Sequence, residues 1–402
     1  MNNTNKNKVL IVGGGFGGVK AALDLAKDER FDITLLTDNL NFRYNPTLYH
    51  TATGGLQAQS NIPLEIIFKD KPIALVKGKA TKLDRATKTI ETEEGKKYEY
   101  DTLIMALGMV TNYFGIQGLP EFSYGIKSIA EVERFKDHLH QQLTDDHKPD
   151  LNYIVVGGGP TGIELVGALP EYLKKISRAH GIKHKAVHIE LVEGNKTLVP
   201  RMPKRIGKKI ARQLRHQGVK LYLGAAVGGE TADALTIGDK ALPSHTVVWT
   251  AGMANAPFYK ANGFNMTDRG KVNVDEHLSA EPNVYVLGDN NNMMYSGMAQ
   301  TAIHDAISVA ENLMRAADGK AMVPYKPKKP VYVLPAGPEW AAVQWGKVQL
   351  FGKLGWALRS AADYLAYRDV EPWWEAAEQW MTEFGTEETC PTCATYHQQS
   401  AQ

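Results

Sequence analysis

The chain has 402 residues, 43% of them hydrophobic, which is enough for two or three domains with buried cores and excludes a disordered or fibrous protein. Its 46 Lys plus Arg against 44 Asp plus Glu leave no global basic field of the kind that binds nucleic acid, so any attraction to a membrane has to be local. The only two cysteines, Cys390 and Cys393, lie in the C-terminal tail, so no disulfide staples the domains and no redox cysteine occurs in the first 389 residues.

The polar stretch Met1 to Lys8 runs straight into an apolar strand without the hydrophobic region of a secretory signal, and the chain is expected to stay in the cytoplasm. No uncharged apolar stretch approaches twenty residues, so no helix is expected to span a bilayer. A strand is predicted over Lys8 to Val12, then the turn Gly13-Gly14-Gly15-Phe16-Gly17-Gly18, then a helix with Val19, Ala22, Leu23, Leu25 and Ala26 on its apolar positions. Gly13 permits the tight turn, Gly15 lets a pyrophosphate approach the backbone, and Gly18 lets helix and strand pack closely, with the helix N-terminus facing the phosphate charge. A second strand, Phe31 to Thr37, ends at Asp38, about twenty residues past the last glycine, where an acid accepts hydrogen bonds from ribose hydroxyls. Further on, Asp101 to Gly108 reads as a buried strand ending at a glycine.

The arrangement recurs. Tyr153 to Val156 is followed by Gly157-Gly158-Gly159-Pro160-Thr161-Gly162, a helix through Leu173, and a strand His188 to Val192 ending in Glu193. One such glycine turn is weak evidence of nucleotide binding, because the same turn serves plain close packing; two, each with strand, helix and terminal acid, point to two dinucleotide sites. A carboxylate at Glu193 accepts a free 2′-hydroxyl and repels a 2′-phosphate, which favours NADH over NADPH. The run Arg201, Lys204, Arg205, Lys208, Lys209, Arg212 and Arg215 has helical spacing and reads as a solvated face. Thr246 to Gly252 repeats the strand-glycine pattern of the first half, and Val284 to Asp289 is a strand that returns the chain to the first domain. Asp289 would suit flavin ribityl hydroxyls, but on spacing alone it reads better as a cap of the following helix.

From Met298 a helical pattern runs through Ala302, Ala306, Val309 and Leu313, which places Gln300 and His304 on one face near its start. Six of the seven tryptophans fall between Trp340 and Trp380. Phe351, Leu354, Trp356, Leu358, Ala361, Tyr364 and Leu365 read as one broadly apolar helix, with Lys347, Lys353, Arg359 and Arg368 interspersed. A second helix, Pro372 to Phe384, groups Trp373, Ala377, Trp380, Met381 and Phe384, but Glu371, Glu375, Glu378 and Glu383 fit anionic lipid poorly. The first is therefore the better membrane anchor, with packing against the body or a homodimer contact as the other readings. Cys390, Cys393 and His397 fall one ligand short of a closed zinc site; a flexible tail without metal is expected.

The ordered elements resemble the type II NADH dehydrogenases, single-subunit NADH:quinone oxidoreductases. The resemblance runs from Val9 to about Tyr367. Its most specific parts are the Gly13 and Gly157 fingerprints, Asn45-Pro46-Thr47-Leu48-Tyr49, Gly162-Ile163-Glu164, Thr250-Ala251-Gly252, Leu287-Gly288-Asp289 and Ala299-Gln300-Thr301-Ala302. It implies an α/β fold of two Rossmann-like dinucleotide-binding domains, one inserted in the other, plus a C-terminal amphipathic helical segment. The expected boundaries are 1–114 with 268–325 for FAD, 115–267 for NADH, 326–384 for membrane association or dimerisation, and 385–402 for a flexible tail.

For FAD the resemblance implies Gly13, Gly15, Phe16, Gly17, Gly18, Asp38, Asn39, Ala80, Ala106, Gly108, Asp289 (at the ribityl hydroxyls), Ala299, Gln300 and Thr301. For NADH it implies Gly157, Gly159, Pro160, Thr161, Gly162, Ile163, Glu164, Glu193, Ala251 and Gly252. Pro46, Tyr49, Gln300 and His304 would border the quinone, and Glu164 and His304 would handle protons. His304 stands where the family usually has Gln, which would make pocket affinity depend on pH. The implied enzyme is a homodimer on the cytoplasmic face of the membrane that passes hydride from NADH to FAD and electrons to quinone without pumping protons. A soluble reductase of a small redox protein and a slow NADH-binding flavoprotein sensor are the competing readings.

Overall fold

Asn7–Val12 is a strand because its last four residues, Val9 to Val12, are a continuous apolar run buried on both faces, the signature of a parallel sheet covered by helices. In the computed structural model, which describes residues 6–144, 150, 152–179, 181, 187–369 and 373–381, this strand is central to a six-stranded sheet. The order is 279–281, 284–286, 102–105, 7–12, 31–37 and 73–77; all neighbours run parallel except the first pair. Helix α1, Phe16–Leu25, covers one face and packs against Ala299–Ala317, designated α4 below.

A second sheet repeats the plan. Four parallel strands stand in the order 220–223, 188–193, 152–156 and 246–249, equivalent to 73–77, 31–37, 7–12 and 102–105 of the first. Helix α2, Pro160–Ala179, follows its central strand, and helix α3, Lys204–His216, precedes strand 220–223. The repeat extends to a feature not foreseen from the sequence: an antiparallel three-stranded meander precedes the fourth strand in each unit, 80–84, 89–92 and 97–99 in one and 227–230, 234–237 and 240–243 in the other. Just past each fourth strand, 109–111 and 253–255 pair antiparallel and tie the two units together.

Two expectations are corrected. The helix expected to end at Leu173 continues to Ala179: Lys174 and Lys175 lie on its solvent face while Ile176 and Ser177 remain buried. The C-terminal segment from 326, expected as an amphipathic helical segment with its first helix beginning at Phe351, first forms a three-stranded antiparallel sheet, 332–335, 341–345 and 348–352. Phe351 therefore belongs to a strand, and Gly352, at φ +78°, ends it before helix α5, Lys353–Arg368. Helix α6 follows at Trp373–Met381. Tyr367 and Ala376 are buried in the same apolar cluster as α1 and α4, so these helices close the first unit's core. The expectations for Glu371, Pro372, Glu383, Phe384, Cys390, Cys393, His397 and the tail from 385 fall outside the described residues.

Candidate functional site

The two glycine turns have the same geometry. Gly13 and Gly157 both sit at φ +119°, and their N–H groups donate to Leu36 O and Val192 O at 2.8 Å in each case. A Cβ on Gly18 would stand 1.9 Å from Gly13 O, and one on Gly162 1.9 Å from Gly157 O, so neither helix could approach its strand with a larger residue. A Cβ on Gly15 or Gly159 meets nothing within 4 Å. Open space therefore fronts both helix N-termini, whose first-turn N–H groups lack intrahelical partners; neither first turn holds an acid, and α1 has no side-chain cap. This chemistry fits two anionic pyrophosphates.

The terminal acids differ in their surroundings. Asp38 is exposed just beyond strand 31–37, beside Asn39, whose side chain accepts from Asn41 N. Glu193 is buried: Oε2 accepts from Gly158 N at 2.6 Å, and Oε1 accepts from Asn195 N and Nδ2 at 2.6 Å each. Asp289 lies in a short 3-10 turn, Gly288–Asn290, while the residue capping α4 is Met298, so the helix-capping alternative is excluded. Burial raises the Asp289 carboxyl above its ordinary value, against the pull of Lys271, whose ammonium donates to the Asp289 carbonyl. Gly108 is held by Asn290, which accepts from its N–H at 2.9 Å and donates to its carbonyl at 2.6 Å.

Several expected contacts are backbone positions whose side chains do other work. Phe16 is a core residue, edge-on to Phe42 at 4.9 Å, and Gly17 packs against Leu287 and Ala302 of α4. Ile163 is fully buried in the second unit's core, and the Thr301 hydroxyl donates back to Met298 O at 2.7 Å. Ala106 continues the ladder through its N–H to Val12 O, Ala80 opens strand 80–84, and Ala299 begins α4. Pro160 and Thr161 occupy the first turn of α2. Ala251 is exposed, and Gly252 is closed in: a Cβ there would stand 1.7 Å from Asn112 O, and Lys127 Nζ donates to its carbonyl at 2.8 Å. Burial pushes the Lys127 ammonium down to about 8.

Glu164, on the second turn of α2, is half-buried. Burial pushes its carboxyl up to about 8; Arg359 opposes that shift and Asp363 reinforces it. It is no solvated acid merely complementing the helix dipole. The two partners come from α5, and the sequence reading had missed their role. Arg359 and Asp363 are only 8% and 6% exposed, and Arg359 Nη1 lies 3.1 Å from Asp363 Oδ2. Tyr44 Oη donates to Asp363 Oδ1 at 2.8 Å, and the Arg359 guanidinium stands 5.8 Å from the Tyr49 ring and 5.3 Å from that of Trp356. Tyr49 thus borders this cluster, and Pro46 lies three residues before it in a short 3-10 turn. The expectation that Arg359 flanks a lipid-facing surface is overturned: the residue points inward and is ion-paired. Its spacing of four from Asp363 and eight from buried Tyr367, on an otherwise apolar helix, was the available signal.

Gln300 and His304 are engaged elsewhere. Gln300 Nε2 donates to Val331 O and its Oε1 accepts from Val331 N, both at 3.1 Å. His304 Nε2 lies 3.0 Å from Lys326 O, which makes that nitrogen the donor, and its ring leans on Tyr325 at 5.2 Å. Both clasp segment 326–331, so His304 would have to break a hydrogen bond before passing a proton from Nε2.

The family model described as pyridine nucleotide-disulphide oxidoreductase matches residues 7–306. Type II NADH:quinone oxidoreductases of Staphylococcus aureus and Staphylococcus haemolyticus are 26% identical over 343 and 347 residues, covering 79% and 80% of this chain and 84% and 85% of theirs. The structure of NDH2 from Plasmodium falciparum in complex with NADH is similar with a TM-score of 0.84 at 16% identity, over 94% of this chain and 98% of that one. The sulfide:quinone oxidoreductase from Aquifex aeolicus gives 0.75 at 19% identity, over 96% and 98%.

Proposed function

The chain belongs to the pyridine nucleotide-disulphide oxidoreductase family, and from that premise we propose that it is a type II, non-proton-pumping NADH:quinone oxidoreductase with FAD as cofactor. The chemistry in the family's name needs cysteines beside the cofactor, and this sequence has none before Cys390. FAD, once bound, supplies a hydride acceptor for NADH and a two-electron donor for quinone. Its pyrophosphate would lie at the N-terminus of α1, with Asp38 and Asp289 at its hydroxyls; NADH would lie at the N-terminus of α2, with its ribose at Glu193. The units are assigned accordingly, 1–114 with 268–325 to FAD and 115–267 to NADH.

The observation that carries the reading is the placement of Glu164. The helix that faces the NADH pyrophosphate also bears an acid with a carboxyl pushed up to about 8, so at neutral pH it holds a proton. A quinone taking up two electrons also needs two protons, and a neutral acid donates one to the developing oxyanion. The carboxylate left behind is stabilised by the neighbouring Arg359 guanidinium.

Helix α5 supports a membrane acceptor. Its buried positions, Gly355, Arg359, Asp363 and Tyr367, repeat every four residues and are mostly polar, whereas Leu354, Ala357, Ala361 and Leu365 face outward. Leu354 is 71% exposed, and Trp345, 62% exposed, stands opposite exposed Val348 at the tip of the preceding hairpin. Fully burying a Val or Leu side chain is worth about 1.5–3 kcal/mol, so a lipid interface offers this stripe a gain that water does not. The segment 326–384 is assigned to peripheral attachment at the cytoplasmic membrane face and to a homodimer contact.

Stopped-flow absorbance of the full chain tests the reading by following flavin reduction with NADH and reoxidation with menaquinone and ubiquinone analogues. Fast reduction and fast reoxidation by either quinone are expected. Fast reduction with reoxidation indifferent to quinone would sink the proposal.

A further inference from the structure

We propose that the outward face of α3 is a docking surface for the anionic headgroups of a lipid bilayer, acting beside the apolar hairpin tip at Trp345 and Val348. The inference rests on the membrane reading above and extends it to a helix of the inserted nucleotide-binding unit, far in sequence from the C-terminal segment.

Helix α3 buries Ile206, Gly207, Ile210, Ala211 and Leu214 and carries Lys204, Arg205, Lys208, Lys209, Arg212, Arg215 and His216 without one acid in its 13 residues. The chain as a whole has a net charge of +2, so these six Lys and Arg leave the remainder of the molecule net negative. Among the described residues none of the six is ion-paired with a carboxylate. Lys204, Lys208 and Arg212 follow one another at intervals of four, as do Arg205 and Lys209, and like charges at that spacing repel. A merely solvated helix face commonly relieves that repulsion with interspersed acids. Here the row is left uncompensated and lines a surface groove of about 420 Å³ formed by Lys204, Arg205, Lys208, Lys209 and Arg212.

The groove adjoins the apolar surface already assigned to lipid. Arg205 and Lys209 stand 5.7 and 6.0 Å from the ring of Phe351, on the strand whose other end is Val348. Three steps along the strand lead from Phe351 to Val348, roughly 10 Å. Exposed Lys347 lies in the turn between Trp345 and Val348. A tryptophan wedge beside a row of Lys and Arg matches the two layers of a membrane interface, apolar boundary and phosphate. A helix of this length extends about 20 Å, enough for several headgroups in a row. A soluble anion would use the charges but not the exposed tryptophan.

The test is partition of the full-length protein onto vesicles of phosphatidylcholine alone and of phosphatidylcholine with phosphatidylglycerol. Compared with the wild type are a triple variant, Lys204→Gln with Lys208→Gln and Arg212→Gln, and Trp345→Ser. The triple variant keeps Arg205 and Lys209 on Phe351; its flavin content and its turnover of a water-soluble quinone should match wild type and so report folding. Each surface cation contributes about a fivefold factor of attraction to an anionic leaflet, so removing three should weaken partition onto the anionic vesicles roughly 100-fold. Partition onto the neutral vesicles should not change, while Trp345→Ser should weaken both. A folded triple variant that binds anionic vesicles as tightly as wild type overturns the proposal. Equal wild-type binding to both compositions overturns it too, yet leaves the membrane reading standing; wild-type binding to neither removes both. Displacement by inorganic phosphate at constant ionic strength would assign the groove to a free anion and overturn the lipid assignment.

Discussion

The two nucleotide-binding units share a turn and differ at the acid that completes it. Gly13 and Gly157 have the same φ, and Gly18 and Gly162 the same 1.9 Å clearance to a carbonyl. Glu193, however, is fixed by three hydrogen bonds from its own chain, whereas Asp38 is exposed at a strand end. A ligand that exchanges on every turnover gains most from a site already ordered before it arrives, because no side chain has to be immobilised at each encounter. A resident cofactor orders its acid once. The contrast agrees with the proposed assignment of the second unit to the exchanging NADH.

The largest effects test the shared part. Gly18→Ala should yield protein with less than about a tenth of its flavin, because the added Cβ overlaps Gly13 O; Gly162→Ala should keep its flavin but reduce it with NADH about 100-fold more slowly. Flavin loss from Gly162→Ala alone would reverse the assignment of the units. Next comes Glu164→Gln, for which quinone-dependent reoxidation should fall about 100-fold while reduction by NADH changes little. Wild-type reoxidation should decline as pH rises through about 8, where the carboxyl loses its proton, and the variant should lack that limb. Stability follows the same sign. An acid whose folded value is raised holds its proton better when folded, so the wild type should lose stability relative to Glu164→Gln from about pH 4.5 up to about 8, with no further loss above. Chemical denaturation across that range reads the difference.

The acids sharpen the contrast at smaller scale. Glu193→Ala leaves three N–H groups without their acceptor and should raise the KM for NADH at least tenfold and cost about 1–3 kcal/mol of stability. Asp38→Ala should cost under about 0.5 kcal/mol, as expected for an exposed side chain. His304→Phe should be the mildest, changing quinone turnover less than about threefold, because its Nε2 already serves Lys326 O. A tenfold loss with an altered pH profile would restore it as a proton relay.

What could be read from the sequence was what is encoded locally. Strand 7–12 and the glycine turn after it were legible because a doubly buried parallel strand is a continuous apolar run and the glycine turn has a short fixed pattern. The meanders were not, since strands such as 80–84 and 97–99 mix Lys, Asp and Glu with few apolar residues. Phe351 was assigned to a helix because a short apolar run before a helix carries no period of its own. The cluster around Arg359 was least accessible: Tyr44 and Asp363 meet across 319 residues, a contact no local pattern specifies.

Helix α5 carries the exposed apolar stripe, proposed to face lipid, on one side and the Arg359–Asp363 pair on the other. A chain shortened at Gly352 would lose its attachment and the electrostatic environment of Glu164 in one cut, and Tyr44 would lose its acceptor. Such a truncation cannot distinguish an enzyme that needs the bilayer from one that needs only the helix. Separating them takes substitutions confined to a single side, such as Leu354→Ser with Leu365→Ser outside and Arg359→Met inside. On the proposed mechanism the same arrangement would act as an interlock: with α5 lifted away, NADH oxidation and quinone reduction would become separable, and electrons would pass only to acceptors that do not require Glu164.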